Sequence, residues 1–161
     1  MKLANAPRTV ISAALLLAAL FAHASAQEVE GRWLTEPRNG IVDIYRCEAG
    51  ALCGRLVWVL IKPSDENPQA TDNHNPSAAL RARPLCGLQI MSGFNPDGQA
   101  HWSGGSIYDP QSGKTYSANM TLRSDGTLGV RGYIGTPLLG RTQDWTRYAG
   151  NPPRCPSFAS P

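Results

Sequence analysis

Gly31-Arg32-Trp33 opens the first strand-like run of this chain, and Trp145-Thr146-Arg147 closes the last. Read together, the two stretches predict that the ends of one sheet meet. Glycine lets the backbone bend tightly where a first strand enters, and tryptophan supplies a large apolar plug. An arginine laid over the indole face caps such a plug through a cation–π contact worth roughly 0.5–2 kcal/mol. On this reading Gly31, Trp33, Trp145 and Arg147 close a barrel. The plainer alternative makes Trp33 an ordinary core residue and Arg147 a surface charge.

Between these ends, short runs of β-branched and aromatic residues alternate with clusters of Gly, Pro, Asn and Asp, the pattern of a hairpin-rich all-β domain. The runs are Gly31 to Thr35, Ile41 to Arg46, Cys53 to Ile61, Leu88 to Phe94, Ala100 to Tyr108, Lys114 to Leu122, Thr127 to Ile134 and Leu138 to Arg147. The first turn falls at Arg38-Asn39-Gly40, where Asn-Gly suits a type I′ turn with φ > 0 at both positions. Eight is the number at which an up-and-down antiparallel sheet closes into a barrel that is either filled or holds one small ligand. Alternation turns Val42, Ile44, Leu56, Trp58, Tyr116, Ala118, Met120, Leu122, Leu128 and Val130 inward, and Asp43, Arg55, Ser117, Asn119, Thr121, Gly129 and Arg131 outward. Arg141, Gln143, Trp145 and Arg147 share one face of the last run. If Trp145 points inward, the polar three either lie in the lumen with partners or sit near its two mouths.

Residues 1–26 read as a targeting segment. Lys2 and Arg8 form a positive region, Val10 to Ala22 an apolar one, and Ala24-Ser25-Ala26 a small-residue cleavage site. This predicts export, a mature chain from Gln27, a barrel domain over 27–148 and a Pro-rich tail over 149–161. The apolar region is shorter than the about 20 residues of a spanning helix, so no transmembrane segment is expected after cleavage. Removing Lys2 and Arg8 lowers the formal charge from +3 to +1, a balance that argues against nucleic acid or an anionic membrane as the main partner, since such binding rests on clustered positive charge. Four cysteines in an exported chain read as two disulfides, for which three connectivities exist. Cys47 and Cys53 flank a turn-like stretch and can face each other across a hairpin; elimination leaves Cys86 with Cys155. There is no CxxC pair, and only His74 and His101 lie beyond the leader, so neither a metal nor a cofactor is expected.

Lys62 to Leu85 departs from the hairpin pattern. Its length suits a lid, and Asn75-Pro76 fits the N-cap and first position of a helix of one or two turns. Its acids Asp65, Glu66 and Asp72 lack the spacing of a calcium loop and read as solvated. Small inward positions at Gly54, Gly104, Ser106, Ala118 and Gly132 leave room for a pocket bounded by Trp33, Trp58, Trp102, Tyr116 and Met120; the alternative is a core filled by neighbouring aromatics. Ser103-Gly104-Gly105-Ser106 sits inside a strand pattern with no helix behind it, which predicts a bulge or bend and not a phosphate loop. Tyr108, Asp109, Lys114 and Tyr116 flank one turn at a barrel mouth, with Asp109 as turn starter. No nucleophile motif accompanies either histidine, so no catalytic residue is assigned. The candidate ligand-binding residues are Trp58, Trp102, Tyr108, Tyr116, Met120, Arg141 and Gln143.

Several pieces carry a family resemblance: Gly31-Arg32-Trp33-Leu34-Thr35, Cys47 with Leu52-Cys53-Gly54-Arg55, Asn75-Pro76, Arg83-Pro84-Leu85, Trp102 to Pro110 with Ser112 to Tyr116, Val130-Arg131-Gly132-Tyr133, and Thr142-Gln143 with Trp145-Thr146-Arg147. They resemble the exported bacterial family known as domain of unknown function 2147. The resemblance implies an all-β, lipocalin-like (calycin) fold and a periplasmic or secreted location, and it brings no catalytic residues. Some members carry a Cys pair in the stretch held here by Tyr133 to Gly140, where this chain has Cys86 and Cys155 instead. The expectation is therefore an eight-stranded up-and-down barrel with one long loop carrying a short helix, which binds a small apolar or amphipathic ligand without catalysis. The alternatives are a protein-interaction or cell-envelope structural module with a filled barrel, and a periplasmic enzyme.

Overall fold

Strands with one apolar face must bury that face against another, and eight of them do so here by curling round a shared interior. The computed structural model describes residues 28–61 and 70–153; residues 1–27 with the expected leader, the acids Asp65 and Glu66, and Cys155 lie outside the described residues. The strands are β1 (Gly31–Leu34), β2 (Gly40–Arg46), β3 (Leu52–Val59), β4 (Gln89–Pro96), β5 (His101–Asp109), β6 (Lys114–Leu122), β7 (Leu128–Tyr133) and β8 (Arg141–Arg147). Each pairs antiparallel with the next, and β8 returns to β1 to close the barrel. The β2–β3, β4–β5 and β6–β7 connections share one end with the start of β1; the other four connections share the opposite end.

At the first end the barrel is shut. Trp33 is fully buried and stands in register with Arg147, whose guanidinium carbon lies 4.0 Å from the indole centroid. The indole Nε1 donates to the Val29 carbonyl at 2.8 Å. Arg147 Nη1 donates to the Glu30 carbonyl at 2.6 Å, and Nη2 donates to the carbonyl of Glu28. Residues 28–30 are thereby folded beneath the barrel with Val29 as a buried plug. Gly31 makes this possible: its φ is 110°, and a Cβ there would lie 3.0 Å from Arg147 Nη1. Burial pushes the Arg147 pKa down from its ordinary value, and the charge of Glu28 opposes that shift. The Cys47–Cys53 disulfide, with Cα atoms 5.8 Å apart, pins the β2–β3 hairpin at the same end. Cys86 is likewise disulfide-bonded.

Two bulges redistribute the interior. Val42 pairs with Leu56 but Ile41 pairs with Trp58, so β3 carries one extra residue and Trp58 leaves the inward phase assigned to it by simple alternation. In β5, Trp102 pairs with Met120 while Gly105 pairs with Ala118. The expected irregularity is present, and it turns Gly105 and Ile107 inward and Gly104 and Ser106 outward, reversing the alternation-based assignment of those two. The remaining inward set holds: Val42, Ile44, Leu56, Ala118, Met120, Leu122, Leu128 and Val130 all join the buried core. Near the closed end the small positions are occupied by neighbours. A Cβ on Gly105 would fall 2.5 Å from the Phe94 ring, and one on Gly54 would fall 2.9 Å from Met91 Sδ.

Three local expectations are corrected. The β1–β2 turn has its positive φ at Arg38 (56°) and not at Asn39 or Gly40. The chain instead turns over Thr35–Arg38, closed by Arg38 N–H donating to Thr35 O at 2.8 Å, so no two-residue type I′ turn forms. The last strand starts at Arg141, because Pro137–Leu139 forms a 3₁₀ turn capped by Thr136. The helix expected after Asn75 shrinks to a single 3₁₀ turn, Ala78–Leu80. Asn75 is engaged elsewhere: its Nδ2 donates to Asp72 at 2.7 Å and to the Tyr108 hydroxyl at 3.2 Å, while Oδ1 accepts from Ser77 N–H at 2.9 Å.

Asp72 is the centre of that knot and is fully buried, which overturns its reading as a solvated loop acid. It accepts from Tyr108 at 2.6 Å and from Arg83 Nε at 2.9 Å, with Arg83 Nη2 at 2.8 Å. Gly113, at φ 68°, completes the junction between this loop and the β5–β6 turn, since a Cβ there would stand 2.0 Å from the His74 carbonyl oxygen. His74 Nδ1 in turn lies 2.6 Å from Gln111 O. Residues 70–85 are therefore fastened across the open end. The Tyr108 pKa is raised, first by burial and then by its bond to Asp72, so the phenol keeps its donating proton.

Replacing Arg147 with Ala removes the indole cap and the two anchors on residues 28 and 30; we expect a loss of about 1–3 kcal/mol and a melting temperature lower by roughly 5–10 °C. Unchanged melting would remove the closure argument. Asp72→Asn leaves Arg83 without its anion and should destabilise residues 70–85 by about 2–4 kcal/mol, read as faster amide exchange at Asn75, Arg83 and Leu85; Tyr108→Phe should cost about 1 kcal/mol. A raised folded-state pKa means that the Tyr108 contribution is complete below the ordinary tyrosine value of 10.0 and is lost as pH climbs through the raised value, so alkaline unfolding of Tyr108→Phe should be shallower than that of the parent.

Candidate functional site

The open half of the barrel encloses a cavity of about 1220 Å³ that reaches solvent between the four connections at that end. Its inner wall is built from alternate positions of the strands: Leu56 on β3, Ile90 on β4, Ile107 on β5, Val130 on β7 and Trp145 on β8. Trp145 is fully buried, and its Nε1 donates to Gln143 Oε1 at 2.9 Å, which ties the two side chains together on the lumen face of β8. Gly132 faces the cavity between Tyr116 and Ile107, with at least 3.6 Å free around the position of a Cβ. Space that aromatics fill near the closed end stays open here.

A polar collar is interleaved with the upper part of that wall, Gln143 pairing with Val130 and Tyr116 with Ile107. Arg141 and Gln143 enter from β8, Tyr116 from β6, and Asn39 and Asn73 from the adjoining loops. Asp109 also lines the mouth, but both its oxygens are occupied, by Gln111 N–H at 3.0 Å and by the Ser112 hydroxyl at 2.6 Å. Its role is that of a turn starter, which leaves Arg141 as the cation of the collar. An apolar chamber with few convergent polar groups is the form taken by small-molecule sites.

The sequence-derived residues fall into two groups. Tyr108, Tyr116, Arg141 and Gln143 line the cavity. Trp102 and Met120 pack in the closed half, in register with each other and apart from the lining. Trp58 is displaced from the lining by the β3 bulge. Arg147 and Arg141, which share a strand face, lie at opposite mouths. Ile107 and Ile90 were missed: the bulge that turns Ile107 inward breaks the alternation on which the choice rested, and Gln89–Pro96 carries no strict period-two pattern. Among the described residues no group of three or more His, Cys, Asp or Glu is placed to hold a metal ion.

Comparison with known proteins agrees with this architecture. One solved structure, described as "Protein HP1028 from the human pathogen Helicobacter pylori belongs to the lipocalin family", superposes with a TM-score of 0.64 at 23% identity, over 76% of this chain and 84% of that one. At that identity the likeness is one of fold. No curated protein matches the chain. The family model described as "Uncharacterized protein conserved in bacteria (DUF2147)" matches residues 31–147, the span from the glycine that opens β1 to the arginine that ends β8. The chain therefore belongs to the DUF2147 family, with the barrel of a lipocalin-like protein.

Proposed function

We propose that this protein is an exported carrier that holds a small amphipathic molecule in its barrel, with no chemical step. The observation that carries the reading is a mostly apolar cavity wall in which Arg141, Gln143 and Tyr116 supply a few polar groups toward the open end. An aliphatic tail in contact with Leu56, Ile90, Ile107, Val130 and Trp145 leaves water, at about 25 cal/mol for each Å² of apolar surface removed. A polar head then comes to rest among Arg141, Gln143 and Tyr116, where the cation favours a carboxylate or phosphate. Export is supported by the leader-like composition of residues 1–26 and by the Cys47–Cys53 disulfide, a bond that persists in oxidising compartments. No helix among the described residues is long and apolar enough to cross a membrane.

Displacement of a cavity-bound fluorescent probe by a chain-length series of fatty acids, alcohols and alkyl ammonium ions should be saturable and one-to-one, and uniform failure to bind would defeat the proposal. Gly132→Trp places a bulky side chain in the lumen between Tyr116 and Ile107 and should weaken binding of the longer chains most, with little change in melting. Arg141→Glu should weaken fatty acids about tenfold and leave alcohols of equal length unaffected. Native mass spectrometry of protein purified from its own host should retain a co-purified molecule of this class.

A further inference from the structure

The open end carries a second feature, continuous with the rim of the cavity. Among the described residues the large exposed apolar side chains are Leu60, Leu80, Ile134, Leu138 and Leu139, and all five lie in connections at the open end. The strongest concentration is the β7–β8 connection, where Ile134 is 70% exposed, Leu138 87% and Leu139 81%. Apolar side chains left in water forgo the stabilisation of burial, and three of them within six residues form a concentrated apolar tip.

The connection does not expose them through looseness. Arg131 Nε donates to Pro137 O at 2.7 Å, its Nη1 to Thr142 Oγ1 at 2.9 Å and its Nη2 to Leu138 O at 3.4 Å. Within the turn, Leu138 N–H reaches the Thr136 side chain, and the amides of Leu139 and Gly140 donate to Thr136 O and Pro137 O. The leucines are thus held outward on a braced tip. From Asp125 to Asp144 the chain has no acidic residue, while Arg131 and Arg141 stand at the base of the tip. The outer face of β6 to β8 below it is polar, with Asn119 paired to Arg131 and Arg131 to Thr142, so apolar contact is restricted to the end.

We infer that the β7–β8 tip docks the open end onto an anionic phospholipid surface, with Ile134, Leu138 and Leu139 entering the headgroup region and Arg131 and Arg141 meeting lipid phosphates. Apolar insertion combined with nearby basic charge is the physical basis of reversible attachment to anionic leaflets, each cation near the surface adding about 1 kcal/mol. Ile134 and Leu139 also line the cavity, so the attached face is the one through which the lumen opens.

The test is amide hydrogen exchange of the full chain with phosphatidylglycerol vesicles, phosphatidylcholine vesicles and buffer. We expect protection confined to 134–140 and the neighbouring rim with phosphatidylglycerol, weaker protection with phosphatidylcholine, and at least a tenfold loss of partitioning in Leu138→Ser/Leu139→Ser. Both leucines are exposed, so melting of that variant should match the parent, and the local readout separates the tip from any attachment through the N-terminus. Unprotected tip amides on both vesicle types overturn the proposal. So does a concentration-dependent dimer that the double substitution abolishes in the absence of lipid, which would assign the tip to a second copy of this chain. Ligand binding in the lumen is measured separately, and its failure leaves this result standing.

Discussion

One guanidinium holds the two ends of this sheet together. The plane of Arg147 lies over Trp33 while its edge donates to the carbonyls of residues 28 and 30. A delocalised, weakly hydrated planar cation can satisfy a ring face and two carbonyls together; the compact ammonium of lysine cannot. The indole is fixed from its other side by the Val29 carbonyl, and the whole junction needs the backbone of Gly31 to turn through a conformation that side chains avoid. Removing any one partner leaves the others without a reason for their positions.

From that junction the barrel divides along its length. Near Trp33 the small residues serve as sockets: Phe94 lies on Gly105, and Met91 and Val42 crowd Gly54. Further up, the β3 bulge takes the largest available side chain, Trp58, out of the interior, and Gly132 adds no side chain of its own. The filled barrel and the hollow barrel are therefore both present, one above the other. The hollow part is bounded by a loop that the buried Asp72 fastens, so its rim has a defined shape along residues 70–85.

The strands and their order were legible because their signals are local. Alternation within Val42 to Ile44 or Ala118 to Leu122 and turn residues such as Asp125-Gly126 act over a few positions, and the pairings that follow are between neighbours in the chain. Trp58 and Ser106 were misplaced because a bulge is decided by the partner strand, which period-two counting ignores. The Asp72 knot was illegible for a related reason: its partners sit 3, 11 and 36 positions away, and an isolated Asp-x-x-Asn resembles a polar loop until Tyr108 is brought to it. The collar was half visible, since the shared face of Arg141, Gln143 and Trp145 follows from alternation alone, whereas Asn73 reaches the rim through the loop.

The β1–β8 junction comprises two register pairs, Trp33 with Arg147 and Leu34 with Thr146, whereas β7 and β8 share five. Above Leu34 the edge of β8 is met by a single side chain, Glu36, which accepts from the Asp144 amide at 3.0 Å. The wall is consequently a hoop with one short weld at its base. Widening the lumen for a bulkier guest requires parting fewer backbone bonds along this line than along β7–β8, and it leaves the base intact under Arg147. The circumference of the chamber is thus held by the fewest strand pairings along this one line.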